Sequence, residues 1–181
     1  MGELWFAHFL YRRSIMIRPA DISDAKAIAH IRVDGWKTTY KGMMPDSFLS
    51  KLNYEEEEDR DKKRLLGNDN NFTSKIVVYE ENNEILGFAF YGNAIDSSYD
   101  GEILALYVKP DMKRHGIGNK LVNYIKQELK NNGKTNMIIW CLKENINSIK
   151  FYEKMGGKPL DTRNINIAGT NLTEVGLVYE L

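Results

Sequence analysis

The 181-residue chain is 43% apolar and 28% charged, which suits one globular domain able to bury a real core and excludes disordered or fibrous classes. Lys plus Arg and Asp plus Glu both number 25, so no overall field draws the chain to nucleic acid or to an anionic membrane, and any affinity for phosphate must be local. Cys141 stands alone, which excludes an internal disulfide and fits a reducing cytoplasm, and no His/Glu cluster has metal-ligand spacing.

In chain order, Leu4 to Tyr11 is apolar but broken by His8 and ended by Arg12-Arg13, well short of the ~20 residues that span a bilayer. Its charges also follow the apolar stretch, where a secretory signal has them first. A strand is expected over Ile15 to Pro19. A helix capped by Asp21 or Ser23 follows, with Ala25, Ile28, Ala29, Ile31 and Val33 at helical spacing, running to Tyr40 before Gly42 and Pro45 break it. Two further helices are expected near Pro45 to Leu52 and Tyr54 to Leu66, the second opening on Glu55-Glu56-Glu57-Glu58, which suits a helix N-terminus. Ile76 to Tyr79 and Ile85 to Tyr91 read as a hairpin across Asn82-Asn83, and the sheet continues through Glu102 to Val108. Then come a glycine turn, a helix from Gly116 to Lys130, Gly133 as its stop, a strand from Met137 to Leu142 and a helix from Asn147 to Met155. Strand, helix and strand in that order imply a right-handed crossover, so the fourth and fifth strands should be parallel neighbours. Lys158 to Asn164 and Leu172 to Leu181 close the sheet as an antiparallel pair. The fold class is therefore mixed α/β, with a mostly antiparallel sheet carrying helices on both faces.

The junction between the fourth strand and its helix carries the chemistry. Lys113-Arg114-His115-Gly116-Ile117-Gly118 lets backbone N–H groups approach a phosphate with no Cβ in the way, and the helix N-terminus adds its positive dipole end. A dinucleotide fingerprint needs a third glycine where Leu121 stands, and a P-loop needs Gly-Lys-Ser/Thr; neither is present. The turn resembles the pyrophosphate turn of the GCN5-related N-acetyltransferases (the GNAT family), with Lys113 in place of the more usual Gln or Arg. Asn145-Ile146-Asn147-Ser148-Ile149-Lys150-Phe151-Tyr152-Glu153-Lys154-Met155-Gly156-Gly157 resembles that family's second motif. Ile17-Arg18-Pro19-Ala20, then Trp36, Tyr40, Gly42 and Pro45, are similar to the opening strand and helices of a bacterial branch. The resemblance spans roughly residues 16–181, so residues 1–15 read as an N-terminal extension or the product of an upstream start codon, and the rest as a single GNAT-like domain.

The resemblance implies acetyl-coenzyme A as cosubstrate. Lys113, Arg114, His115, Gly116, Ile117, Gly118 and Asn119 would wrap its pyrophosphate, and the edge of Leu106, Tyr107 and Val108 would bond the pantetheine amides. Asn145 would bond the same arm or cap the following helix, with Asn147 the better-placed cap. Tyr152 would give a proton to the leaving thiolate. Glu102, at even spacing from Leu104, Leu106 and Val108 and so expected on their face, is either the base acting through water or a surface carboxylate. Trp36, Tyr40 and Met43, with Met44 and Phe48, line the acceptor site or fill the core. His30, among apolar positions, reads as structural. Glu55 to Asp59 with Asp61 either attract a polyamine or form a solvated face. The implied function is cytoplasmic transfer of acetyl to a primary amine by direct attack, without metal or covalent enzyme intermediate. The acceptor is a small molecule, a polyamine or a peptide N-terminus, with no nucleic-acid or membrane partner and a homodimer compatible. A catalytically silent acyl-coenzyme A sensor and a phosphate-binding module are the rivals.

Overall fold

The computed structural model describes residues 14–181. Residues 1–13, most of the expected extension, lie outside the described part; Ile15, its last residue, already pairs with Glu81 in the sheet. The elements are β1 (Ile15–Pro19), α1 (Ala25–Thr39), α2 (Asp46–Leu49), α3 (Tyr54–Leu65), β2 (Lys75–Glu81), β3 (Glu84–Asn93) and β4 (Gly101–Val108). They continue with α4 (Ile117–Asn131), β5 (Asn136–Leu142), α5 (Ile146–Lys154), β6 (Lys158–Ile167) and β7 (Thr170–Glu180). One seven-stranded sheet runs β1-β2-β3-β4-β5-β7-β6, antiparallel throughout except where β4 meets β5. No helix among the described residues is long and apolar enough to cross a membrane.

Local chemistry explains these boundaries. Asn82 and Asn83 both take positive φ, 53° and 64°, which gives the two-residue hairpin turn whose twist matches its strands. The Asn53 side chain accepts from Glu55 N and Glu56 N at the start of α3, whose first turn is acidic and last turn basic. The sheet has a core on each face. Leu121, Val122 and Ile125 of α4 pack with Tyr152 of α5 on Met137, Ile139 and Leu177, while Ile28 and Ile31 of α1 pack on Val78, Phe88 and Phe90.

Two features set the shape around the cleft. Phe90 pairs with Ala105 but Tyr91 pairs with Ile103, so Leu104 is an extra residue bulged from β4. The pairing of β4 with β5 covers only Gly101, Ile103 and the residue between them, against Met137 to Ile139, and the strands then part. The bulge reverses the expected alternation. Ile103, Leu106 and Val108 serve the α4 face, and Glu102 turns to the α1 face with Ala105 and Tyr107. The expectation that Glu102 shares a face with Leu106 and Val108 is thereby corrected, because simple period-two counting does not survive an inserted residue.

The second feature is a buried ion network. Arg32 Nη1 donates to Glu57 Oε2 at 2.9 Å and Nη2 to Asp61 Oδ1 at 2.9 Å, tying α1 to α3, and its guanidinium lies 4.8 Å from the Phe90 ring centroid. Glu57 and Asp61, four residues apart, share the inner face of α3, so they belong neither to a solvated face nor to a polyamine attractor. Asp61 is 0% exposed, and burial raises its carboxyl above the ordinary range despite Arg32 and Arg64. Removing the central cation would leave two buried carboxylates with only Arg60 and Arg64, from their own helix, as partners. We expect Arg32→Leu to lower unfolding free energy by about 3–5 kcal/mol in urea denaturation, and a further Asp61→Leu change to recover part of that loss.

Candidate active site

Between β4 and α4 the chain bends through a one-turn 3₁₀ segment at Pro110–Met112 into the basic turn. Arg114 and Gly116 both take left-handed backbone, at φ 68° and 80°, so alternate peptide N–H groups turn toward one concave side. No side chain caps α4, which leaves its first N–H groups available at the positive end of a 15-residue helix. A Cβ placed on Gly116 would meet nothing within 4 Å, so that side is open space of the kind a phosphate needs. One on Gly118 would lie 3.2 Å from Phe151 Cζ, which makes this glycine the place where α4 and α5 close on each other. The turn thus fits a diphosphate through its backbone.

The side chains around it are partly committed. Lys113 Nζ donates to Thr39 Oγ1 at 3.0 Å, and its partial burial lowers the ammonium pKa. His115 Nδ1 lies 3.0 Å from the Lys113 carbonyl oxygen. Asn119 Nδ2 contacts Met155 Sδ at 2.8 Å and Oδ1 accepts from Asn123, so this side chain serves the α4–α5 contact. Ile117 is buried in the core and offers only backbone to the turn.

Beyond Ile103 the β5-facing edge of β4 has no strand partner, and Leu106, Tyr107 and Val108 lie along it. Tyr107 turns its ring to the α1 face, stacked on Phe88 at 5.5 Å, and Tyr40 lies within electrostatic reach of its hydroxyl. Gly35 makes this possible: a Cβ there would come within 2.7 Å of Tyr107 Cδ1. From the opposite face Tyr152 approaches the same opening, 8% exposed, with burial holding its hydroxyl well above the ordinary phenol range and Cys141 and Tyr40 within electrostatic reach. Tyr179 Oη donates to the Tyr152 carbonyl at 2.9 Å and so fixes the backbone of this residue. Asn145 is buried and caps α5, its Oδ1 accepting from Ser148 N at 3.2 Å; the cap is therefore Asn145, where Asn147 was expected.

Glu102 is 3% exposed, accepts from Ile95 N at 3.0 Å, and has its carboxyl pKa raised mainly by burial. On the same side, a cavity of about 300 Å³ is lined by Arg32, Trp36, Phe48, Arg64, Leu104 and Tyr107, among others. Tyr40 packs against Trp36, with ring centroids 4.6 Å apart. Met43 is half-buried in the following loop outside that lining, and Met44 is core. His30 is neither buried nor near these groups: it sits on the exposed side of α1, stacked on Tyr54 at 4.4 Å.

Four residues that sequence reasoning did not single out share the Glu102 face. Trp140 of β5 and Asp161 of β6 both lie opposite Gly176, and Glu174 of β7 lies opposite Arg163. Arg163 Nε donates to Glu174 Oε2 at 2.7 Å while its guanidinium lies 4.2 Å from the Trp140 ring centroid. The available signal was charge alternating at period two in the closing strands, which reads as an ordinary solvent face.

A family model described as "Acetyltransferase (GNAT) family" matches residues 36–157, two-thirds of the chain, including the basic turn, β4, Asn145 and Tyr152. The chain belongs to that family. As a GNAT protein it is an acyltransferase that uses acetyl-coenzyme A. An uncharacterized N-acetyltransferase of Bacillus subtilis, YuaI, is 34% identical, covering 90% of this chain and 91% of that protein. The spermidine N(1)-acetyltransferase of Thermoplasma acidophilum is 28% identical over 82% of this chain and 91% of its own length. The fold matches the crystal structure of the Thermoplasma acidophilum PaiA N-acetyltransferase in complex with coenzyme A, with TM-score 0.70, 20% identity, and 93% and 99% of the two chains covered.

Within the GNAT site Cys141 is inert. Burial pushes its thiol up to about 12. Its alkylation by iodoacetamide at pH 8 should run at least about 1,000-fold slower in the native protein than in urea, read by mass spectrometry.

Proposed function

We propose that this enzyme transfers the acetyl group of acetyl-coenzyme A to a primary amine by direct attack. The observation that carries the reading is the convergence at one opening of the sheet: the backbone turn at its mouth, the unpaired β4 edge along one side, Tyr152 beneath and Glu102 above. The diphosphate lies against the N–H groups of the turn and the first turn of α4, with Lys113 and Arg114 supplying charge. The pantetheine amides bond the edge of Leu106 to Val108 in the manner of an added strand, and the Asn145 amide group lies close to the same arm. Acceptor amines reach the opening from the α1 face, past Trp36 and Tyr40. The Thermoplasma relative named for spermidine supports an amine acceptor.

In the transfer the amine gives a proton to Glu102 through water, its nitrogen bonds the thioester carbonyl carbon, and the C–S bond breaks as Tyr152 passes its proton to sulfur. Solvent then restores the Tyr152 proton and removes the one held by Glu102. Burial acts on both groups, in favour of the base and toward a weaker acid in the phenol. It raises Glu102 toward the pH at which a carboxylate is an effective base, and it keeps Tyr152 protonated over the whole working range. The single buried cysteine accords with a cytoplasmic enzyme.

Two measurements test this. Gly116→Glu should abolish coenzyme A binding in calorimetry while far-ultraviolet circular dichroism stays unchanged, since the new carboxylate enters the space left for phosphate; retained affinity would remove the turn from the site. Tyr152→Phe should lower kcat on an accepted amine about 100- to 10,000-fold with little change in coenzyme A affinity. Unaltered turnover, with chemistry rate-limiting, would assign the thiolate proton to water.

A further inference from the structure

Trp140, Arg163 and Glu174, on the face of Glu102, form an arrangement that amine acetylation by itself does not require. Arg163 engages Glu174 through Nε alone, at 2.7 Å, and among the described residues its two Nη groups have no hydrogen-bond partner. The guanidinium is held in place by the Trp140 ring, 4.2 Å away, and its side chain is 37% exposed, so the free fork is open to solvent on the face that Trp140 shares with Glu102. The platform beneath it depends on Gly176, where a Cβ would come within 2.8 Å of Ile138 Cδ1 and 3.0 Å of Trp140 Cζ3. A guanidinium fixed by stacking and by one ion pair, with both Nη groups free, has the donor geometry that matches a planar carboxylate.

Its position relative to Glu102 supplies the second half. Glu102 lies opposite Ile138, Trp140 is two residues further along β5, and all share one face, so the base and the Arg163 fork flank Trp140. From this geometry we infer that the acceptor is an α-amino acid or a close amino carboxylate, whose carboxylate is held by Arg163 while its amine faces Glu102. The inference rests on the acetyltransfer reading above and names the substrate class of that same site.

Charge around the face agrees. Arg163 acts on Glu102 through space, as do Glu174 and Asp96 in the opposite sense, so the wall as a whole is acidic. Tyr99 Oη donates to Asp161 Oδ2 at 3.0 Å at its rim. An amino ester is drawn to that wall by its net charge but leaves the Arg163 fork unpaired, whereas a zwitterion finds a cation for one end and a carboxylate for the other.

The test uses the full-length enzyme, saturating acetyl-coenzyme A and thiol release as readout, with a panel of L-α-amino acids each run beside its methyl ester. The ester keeps the amine and removes the negative charge. Wild type should favour the acids. Arg163→Gln should raise KM for the acids about 10- to 100-fold while leaving KM for the esters and for acetyl-coenzyme A in place, and Arg163→Lys should restore part of the difference. Equal KM for acids and esters in wild type, or an acid-to-ester ratio unmoved by Arg163→Gln, overturns the inference. So does coenzyme A binding with turnover confined to amines lacking a carboxylate, an outcome that leaves acetyl transfer standing. Failure to bind coenzyme A at all brings down both readings together.

Discussion

One inserted residue governs the working half of this protein. Leu104 bulges from β4, and past it the strand loses β5 as a partner. Unpaired backbone groups inside a sheet are costly, so the opening persists only because both sides are held independently. β3 holds β4 along its whole length, and β7 holds β5 along its whole length. The unpaired edge is what a ligand's amides can complete. The same insertion swings Glu102 to the α1 side while leaving Leu106 and Val108 on the α4 side, so Tyr152 and Glu102 lie on opposite faces of the sheet.

Much of the architecture was legible in the sequence. Periodicity marked the helices, Asn82-Asn83 marked the hairpin, and strand-helix-strand order required the parallel pair. The turn was legible because its constraint is local: backbone close to phosphate demands glycine. What escaped depended on contacts between distant residues. Glu57 and Asp61 looked like part of a solvated acidic run because Arg32, which neutralises them, lies on another helix. The face occupied by Glu102 was misassigned because a bulge leaves no trace in hydrophobic alternation. Arg163 and Glu174 meet only when β6 and β7 pair, and neither strand looks unusual alone. Asn145 and Asn147 are equivalent as cap candidates until the backbone fixes which one precedes the first helical turn.

The two halves of the site rest on different physics. The proposed cosubstrate side is backbone, glycine and helix dipole, which tolerate many side chains, Lys113 among them, without disturbing the N–H groups. The acceptor side is built from side chains on four strands and from α1 braced by α3. On the proposed reading, substitutions there alter acceptor recognition and leave the turn's backbone in place, which accounts for the specificity of the turn motif beside the reticence of the acceptor half.

The hydrogen bond from Tyr179 to the Tyr152 carbonyl has a consequence for biosynthesis. β7 lies between β5 and β6, so the strand that anchors Tyr152 is translated after the other described elements yet occupies an interior place in the sheet. A nascent chain whose turn and α5 have already emerged from the ribosome still lacks this brace. The proposed proton donor is therefore fixed only once β7 has joined, and nicking within β7 would loosen Tyr152 while the glycine turn remained whole.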